Sequence, residues 1–322
     1  MDKDKKIVVI GGGHGTSVVL KSLSDSVAEL TGVLSMADDG GSTGRLRNDL
    51  GVSAVGDIRQ CLTTLSARPE IAELFSYRFD SGGLKGHSLG NLILAAEELQ
   101  ENDLEKGINK ARKILGVKAD IIPSTNDKCG LILELAGEKT AGVYKIANVD
   151  FKDSKPNLSL QPVAKLSESA RAAINEADFI LIAPGNFYCS IIPALLVEGM
   201  TEAINATQAK VIFISNLVNR RGHTGGFRAT DYIDETRRIA GELKPDALIY
   251  NTAKIAEDCL REGEEPVGQP DKKTDYLLIA ADISDTEKVA APGNDEIAAV
   301  RSLVRHNGRK LAEVLEQAME NL

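Results

Sequence analysis

The stretch that most constrains this chain is residues 7–23. Four apolar residues, Ile7-Val8-Val9-Ile10, run into Gly11, Gly12, Gly13, His14, Gly15, Thr16 and Ser17. Val18, Val19, Leu20 and Leu23 then recur at helical spacing. A β-branched run, a glycine loop and an amphipathic helix make a strand–loop–helix unit. Glycines let such a loop turn tightly and approach a ligand, and the helix start offers N–H groups suited to a phosphate. A second strand, Val33-Leu34-Ser35-Met36, leads into Ala37-Asp38-Asp39-Gly40-Gly41-Ser42-Thr43-Gly44-Arg45-Leu46-Arg47. Two neighbouring βα loops at one sheet edge are expected, the edge where open α/β sheets bind ligands.

Neither loop is a standard fingerprint. G-x-G-x-x-G requires glycine where Thr16 stands, and no Gly-Lys-Ser/Thr follows to make a P-loop. The second loop sets two adjacent carboxylates and two arginines on flexible backbone, which suits a polar site better than a structural element.

These motifs, with Gly56-Asp57-Ile58-Arg59-Gln60-Cys61-Leu62, Leu74-Phe75-Ser76-Tyr77-Arg78-Phe79 and Gly86-His87-Ser88-Leu89-Gly90-Asn91-Leu92, resemble the YvcK/CofD-like family. So do Ala177–Asn186 and Ser190-Ile191-Ile192-Pro193. The resemblance covers most of residues 5–255. It implies a CofD-like fold and one of two functions. The bacterial branch is a gluconeogenesis factor tied to cell shape and UDP-sugar binding. The other branch is a 2-phospho-L-lactate transferase. Two departures stand out: Val143-Tyr144-Lys145-Ile146 replaces a Gly-Glu-Ser type run, and His223 and Gly225 stand where the family usually has acids.

The expected architecture is a single α/β domain over residues 1–322, with a doubly wound, mostly parallel, Rossmann-like sheet. Residues 70–115 read as a helical segment. Residues 117–165 read as a β-rich insertion built on a hairpin of strands 129–135 and 140–146. Further strands are expected at 179–183, 211–215, 247–250 and 276–280. Residues 256–275 lack periodicity and read as a loop. A helix is expected from Asn294 to a break at Asn307-Gly308, then a final amphipathic helix bearing Leu311, Val314, Leu315, Ala318 and Met319. Residues 256–322 thus form an extension packing on the core.

With 38 basic and 47 acidic residues the net charge is −9, so no general attraction to nucleic acid or anionic membrane is expected. Met1-Asp2-Lys3-Asp4-Lys5-Lys6 lacks the apolar stretch of a signal peptide, and no run approaches a membrane span. The four cysteines have no metal-ligand spacing. A cytoplasmic protein without a metal site is expected.

The candidate ligand-binding residues are Gly11, Gly12, Gly13, His14, Gly15, Thr16, Asp38, Asp39, Gly40, Gly41, Ser42, Gly44 and Arg45 from the two loops. Asp57 would cap or serve the next helix. Arg59, a cation in a first turn, opposes the helix dipole unless an anion lies near. His87 and Asn91 flank the start of another helix, with Ser88 its cap. Asn186 and Asn216 follow strands; Asn251 does too, and turn chemistry suffices for it. Arg305 reads equally as a phosphate contact or a helix-end cation. No nucleophile–base pair is evident among four dispersed histidines, so no catalytic residue is assigned. The favoured function is a regulatory protein binding a UDP-sugar, with GDP or NAD as other candidate ligands and no cofactor required. Regulatory protein partners and a homodimer remain open. A phospholactate-type transferase and an NAD-binding protein are the alternatives.

Overall fold

The computed structural model describes residues 4–152, 154–285 and 302–322. In chain order its strands are β1 (Lys6–Gly11), β2 (Glu29–Leu34), β3 (Asp120–Pro123), β4 (Gly130–Leu135), β5 (Glu138–Ala141) and β6 (Asn157–Gln161). Then come β7 (Phe179–Ile182), β8 (Lys210–Ile214), β9 (Val218–Arg220), β10 (Ala247–Asn251), β11 (Glu264–Pro266) and β12 (Leu277–Ala281).

Seven of these form one sheet in the order β12-β10-β8-β7-β1-β2-β3. Every neighbouring pair is parallel. The chain begins mid-sheet at β1, runs outward through β2 and β3, then returns to β7 and runs outward the other way. The doubly wound α/β fold expected from the sequence is therefore present. The strand order reverses between β1 and β7, and that switch point is where such sheets open a crevice.

The continuous apolar runs make sense because both sheet faces are covered. Ile7 and Val9 join one core with Leu20 and Leu23 of helix His14–Leu23, Ile58 and Leu62 of helix Gly56–Thr64, and Leu311 and Leu315 of helix Gly308–Asn321. Val8 and Ile10 join the other with Ile174, Ile204, Tyr232, Ile233 and the apolar face of β4 and β6. Among the described residues no helix is long and apolar enough to cross a membrane.

Three readings need correction. β3 belongs to the central sheet, paired with β2, so the antiparallel insertion β5-β4-β6 begins only at Gly130. The second hairpin strand stops at Ala141: Gly142 takes a φ of 101°, and Val143–Ile146 coils into one helical turn. Residues 256–275 hold β11, which pairs antiparallel with β9 and braces the loop after β8. The helix expected from Asn294 falls on residues 286–301, outside the described residues. Its expected end is the N-cap of the last helix, where Asn307 Oδ1 accepts the Lys310 N–H at 3.0 Å.

Candidate functional site

A cleft of about 330 Å³ opens at the switch point, within the usual range for ligand pockets. Its walls are the loop after β1 (Gly12, Gly13, His14, Gly15), the loop after β7 (Pro184 to Ser190), and Asn216 to Arg220 beyond β8. His223 and Thr224, the helical turn at 143–146, and Val304, Arg305 and His306 complete it.

Both glycine loops reach this cleft at one sheet edge, as expected, and the first is packed more closely than a ligand-cradling loop requires. A Cβ on Gly12 would lie 2.5 Å from Ser190 Cβ and 3.1 Å from Asp57 Oδ2, so substitution at Gly12 disturbs packing as well as any ligand. A Cβ on Gly13 would strike the Asp57 carboxylate. Asp57 is not the cap of its helix, where Val55 holds that position; it sits one residue in and faces the glycine loop. Asp38 is half-buried against the same wall. Burial pushes its carboxyl above the ordinary range, while the Gly40 N–H at 3.1 Å and the Thr43 hydroxyl draw it back.

Ten of the twenty sequence candidates line this cleft: Gly12, Gly13, His14, Gly15, Asp38, Gly40, Asp57, Asn186, Asn216 and Arg305. Asn216 grips Gly185, accepting its N–H at 3.1 Å and donating to its carbonyl at 2.8 Å, which fixes the loop that carries Asn186. The Asn186 carboxamide itself makes no hydrogen bond among the described residues and is exposed. Asn251 is occupied by its own turn, bonding Ala253 on both sides.

The other ten lie off the lining. Gly11 ends β1 with Thr16 packed on it. Asp39 stands behind the lining, its Oδ1 accepting the Tyr144 N–H at 3.0 Å and anchoring the 143–146 turn. Gly44 packs on the Asp39 carbonyl, and Gly41 starts helix Gly41–Leu50. Ser42 Oγ meets His87 Nδ1 at 3.1 Å, both buried. Arg59 Nε donates to Asn91 Oδ1 at 3.0 Å, again buried. Arg45 Nη1 donates to the Lys85 carbonyl at 2.7 Å. These three contacts fasten the loop-bearing helices to the 70–101 segment. Four of the polar candidates, Ser42 with His87 and Arg59 with Asn91, are partners of one another. Arg59 thus sits in a first turn with a buried amide, that of Asn91, as a partner.

Removing the Arg59 side chain leaves a buried amide oxygen without its donor and empties the space against Gly90, where a Cβ would come within 2.9 Å of Arg59 Cγ and Cδ. Arg59→Ala should therefore cost about 2 kcal/mol and lower Tm by roughly 3 °C, while ligand affinity measured by calorimetry stays within twofold. A large affinity loss with unchanged Tm would contradict this placement.

Sequence reasoning missed Ser190, Cys189, Arg220, His223 and Thr224 as cleft residues. Arg220 to Arg228 reads as a flexible basic loop, open between a role in ligand or partner choice and a solvated surface, and nothing in the local pattern shows that β9 and β11 pair beside it. Cys189 lies on the lining, but burial pushes its thiol up to about 12, so it stays protonated at neutral pH. His223 stacks on Phe151, ring centroids 4.4 Å apart, and burial lowers its basicity. Among the described residues no group of three metal-ligating side chains is gathered.

Residues 7–288 match the family described as 2-phospho-L-lactate transferase CofD. The chain belongs to the CofD family. Its relatives in that family include the gluconeogenesis factor of Listeria innocua, 34% identical over 98% of this chain and 96% of the relative. That of Bacillus subtilis is 33% identical over 98% of each. The crystal structure of a UPF0052 family member from Bacillus halodurans superposes with a TM-score of 0.86 at 32% identity, covering 98% of this chain and all of that one. This CofD-family chain thus matches proteins named gluconeogenesis factor across nearly its whole length.

Proposed function

We propose that this CofD-family protein is a cytoplasmic regulator that binds a UDP-sugar in the switch-point cleft and does so without turnover. It would tie central carbon metabolism to cell-wall synthesis and cell shape through protein partners. The observation that carries the reading is the cleft itself. It sits where doubly wound sheets bind nucleotides, and it offers backbone and carboxamide groups, two arginines and the apolar side chains of Phe187 and Leu217. The one thiol on its lining is protonated. The buried hydroxyl–imidazole pair, Ser42 and His87, lies off the wall. Nothing in that arrangement activates a nucleophile toward a bound ligand. Relatives named gluconeogenesis factor support a metabolic role.

A transferase reading rests on a different observation: Asp38 and Asp57 both reach the cleft, as phosphoryl-transfer chemistry would require of carboxylates. A thermal-shift screen over UDP-sugars, UDP, GDP and NAD separates the readings. A ligand at 100 times its Kd stabilises by about 2.7 kcal/mol. The regulator reading expects the largest shift with a UDP-sugar and no consumption of it. A larger shift with GDP, or release of nucleotide from a lactyl-phosphate donor in the presence of magnesium, would replace it with the transferase.

A further inference from the structure

The charge in the cleft is not where a phosphate-binding glycine loop would need it. The N-terminus of helix His14–Leu23 already faces a carboxylate, since Asp57 lies against Gly12 and Gly13, and Asp38 shares that wall. An anion placed there meets two acids. A helix start satisfied by a resident carboxylate is a poor second site for a phosphate. The same carboxylates suit neutral hydroxyls, which donate to them.

The opposite wall carries the matching cation. Arg220 ends β9, and its backbone is fixed: its N–H donates to Thr224 Oγ1 at 3.1 Å, and its carbonyl accepts the His223 and Thr224 N–H groups, each at 3.0 Å. Its guanidinium lines the cleft, only partly exposed, and has no hydrogen bond or ion pair among the described residues. Glu264 stands directly across the ladder from it. The Glu264 carboxylate is engaged elsewhere, accepting from Arg261 N at 3.0 Å and Ser302 Oγ at 3.3 Å. A half-buried planar fork with unmet donors, held by a braced strand, fits a phosphate or carboxylate edge. Arg305 lines the same cleft and adds a second positive charge.

We propose that Arg220 is the anion-binding side chain of this cleft, and that the ligand lies with its diphosphate toward residues 218–224 and its hydroxyl-bearing sugar toward Gly12, Gly13, Asp38 and Asp57. The orientation of a UDP-sugar rests on the function proposed above; the anion-binding role of Arg220 does not.

The test is calorimetric titration of the wild type, Arg220→Gln, Arg220→Lys and Asp57→Asn with pyrophosphate, uridine, UDP and UDP-N-acetylglucosamine. Arg220→Gln should weaken pyrophosphate and UDP at least tenfold and uridine less than twofold. Arg220→Lys should fall between, keeping the charge and losing the fork. Asp57→Asn should leave UDP equal or tighter and erase the extra affinity that the sugar confers. Equal losses for uridine and UDP in Arg220→Gln, or unchanged pyrophosphate and UDP binding, overturn the assignment and leave the nucleotide reading standing. Pyrophosphate binding that requires Arg220, without any nucleotide binding, supports the anion site and overturns the UDP-sugar reading. A wild type that binds none of the four overturns both.

Discussion

Gly15→Ala should be the most damaging single-methyl change in this protein, lowering stability by about 3 kcal/mol or more. The residue is the second of helix His14–Leu23, where alanine would ordinarily be favoured over glycine by up to ~1 kcal/mol. Here the order reverses. A Cβ at Gly15 would run into the Pro184 carbonyl, and the next nearest atoms are Pro184 C and Gly185 N. All are backbone, so no flexible side chain can swing aside. That backbone is itself held, because Asn216 clamps Gly185 on both its N–H and its carbonyl. Overpacking of this kind costs roughly 1–3 kcal/mol when neighbours can yield and more when they cannot. The measurement is urea unfolding: the midpoint should drop with m unchanged. A variant as stable as the wild type would mean that the β1 and β7 loops do not meet as described, and the cleft would lose its floor.

The second large effect is a pH dependence traceable to His306. This imidazole sits between the end of β8 and the last helix, its Nε2 3.1 Å from the Ser215 carbonyl. Burial is the main cause pushing it down from the usual 6.5 to about 4, helped by the neighbouring Arg305 charge and opposed by the hydrogen bond to Ser215. The folded protein therefore keeps it neutral where the unfolded chain would protonate it. Between pH 6.5 and 4 the unfolded state binds more protons, so stability falls as the solution is acidified through that window. Above pH 6.5 the effect is absent; below about 4 it is complete, at no more than about 3 kcal/mol for this half-buried ring. His306→Gln has no titrating group, and its amide can still donate to Ser215. Melting curves at pH 7.5, 6.5, 5.5 and 4.5 should show the wild type losing more stability than the variant, the gap opening between 6.5 and 4.5. Parallel curves would place His306 in solvent.

The sequence revealed far more of the fold than of the site, and the reason is physical. The apolar runs at Ile7–Ile10 and Phe179–Ile182 are buried on both faces, so their pattern is set by the sheet itself. The Ser88 cap follows from local backbone geometry, its Oγ accepting the Asn91 N–H at 3.3 Å. Val143–Ile146 reads as the end of a hairpin strand, yet it coils into a helical turn. What decides it is non-local: Asp39, more than one hundred positions away, accepts the Tyr144 N–H. Arg59, Asn91, Ser42 and His87 are polar residues in apolar surroundings, a pattern shared by binding sites and by buried pairs. Only the packing of helices Gly41–Leu50 and Gly56–Thr64 against residues 87–101 makes them pairs. Arg220 gave the opposite error, because a basic residue in a glycine-rich loop resembles surface until β11 is seen to pin it.

The central claim is that the switch-point cleft is the ligand site, and one measurement reaches it directly: a crystal structure grown with saturating UDP-N-acetylglucosamine. The account predicts density for one nucleotide-sugar between the loop at residues 12–15, the loop at 184–190 and Arg220. Density at the smaller depression beside Asn251 and Gln269, or an empty cleft in crystals of a protein that binds the ligand in solution, would contradict it.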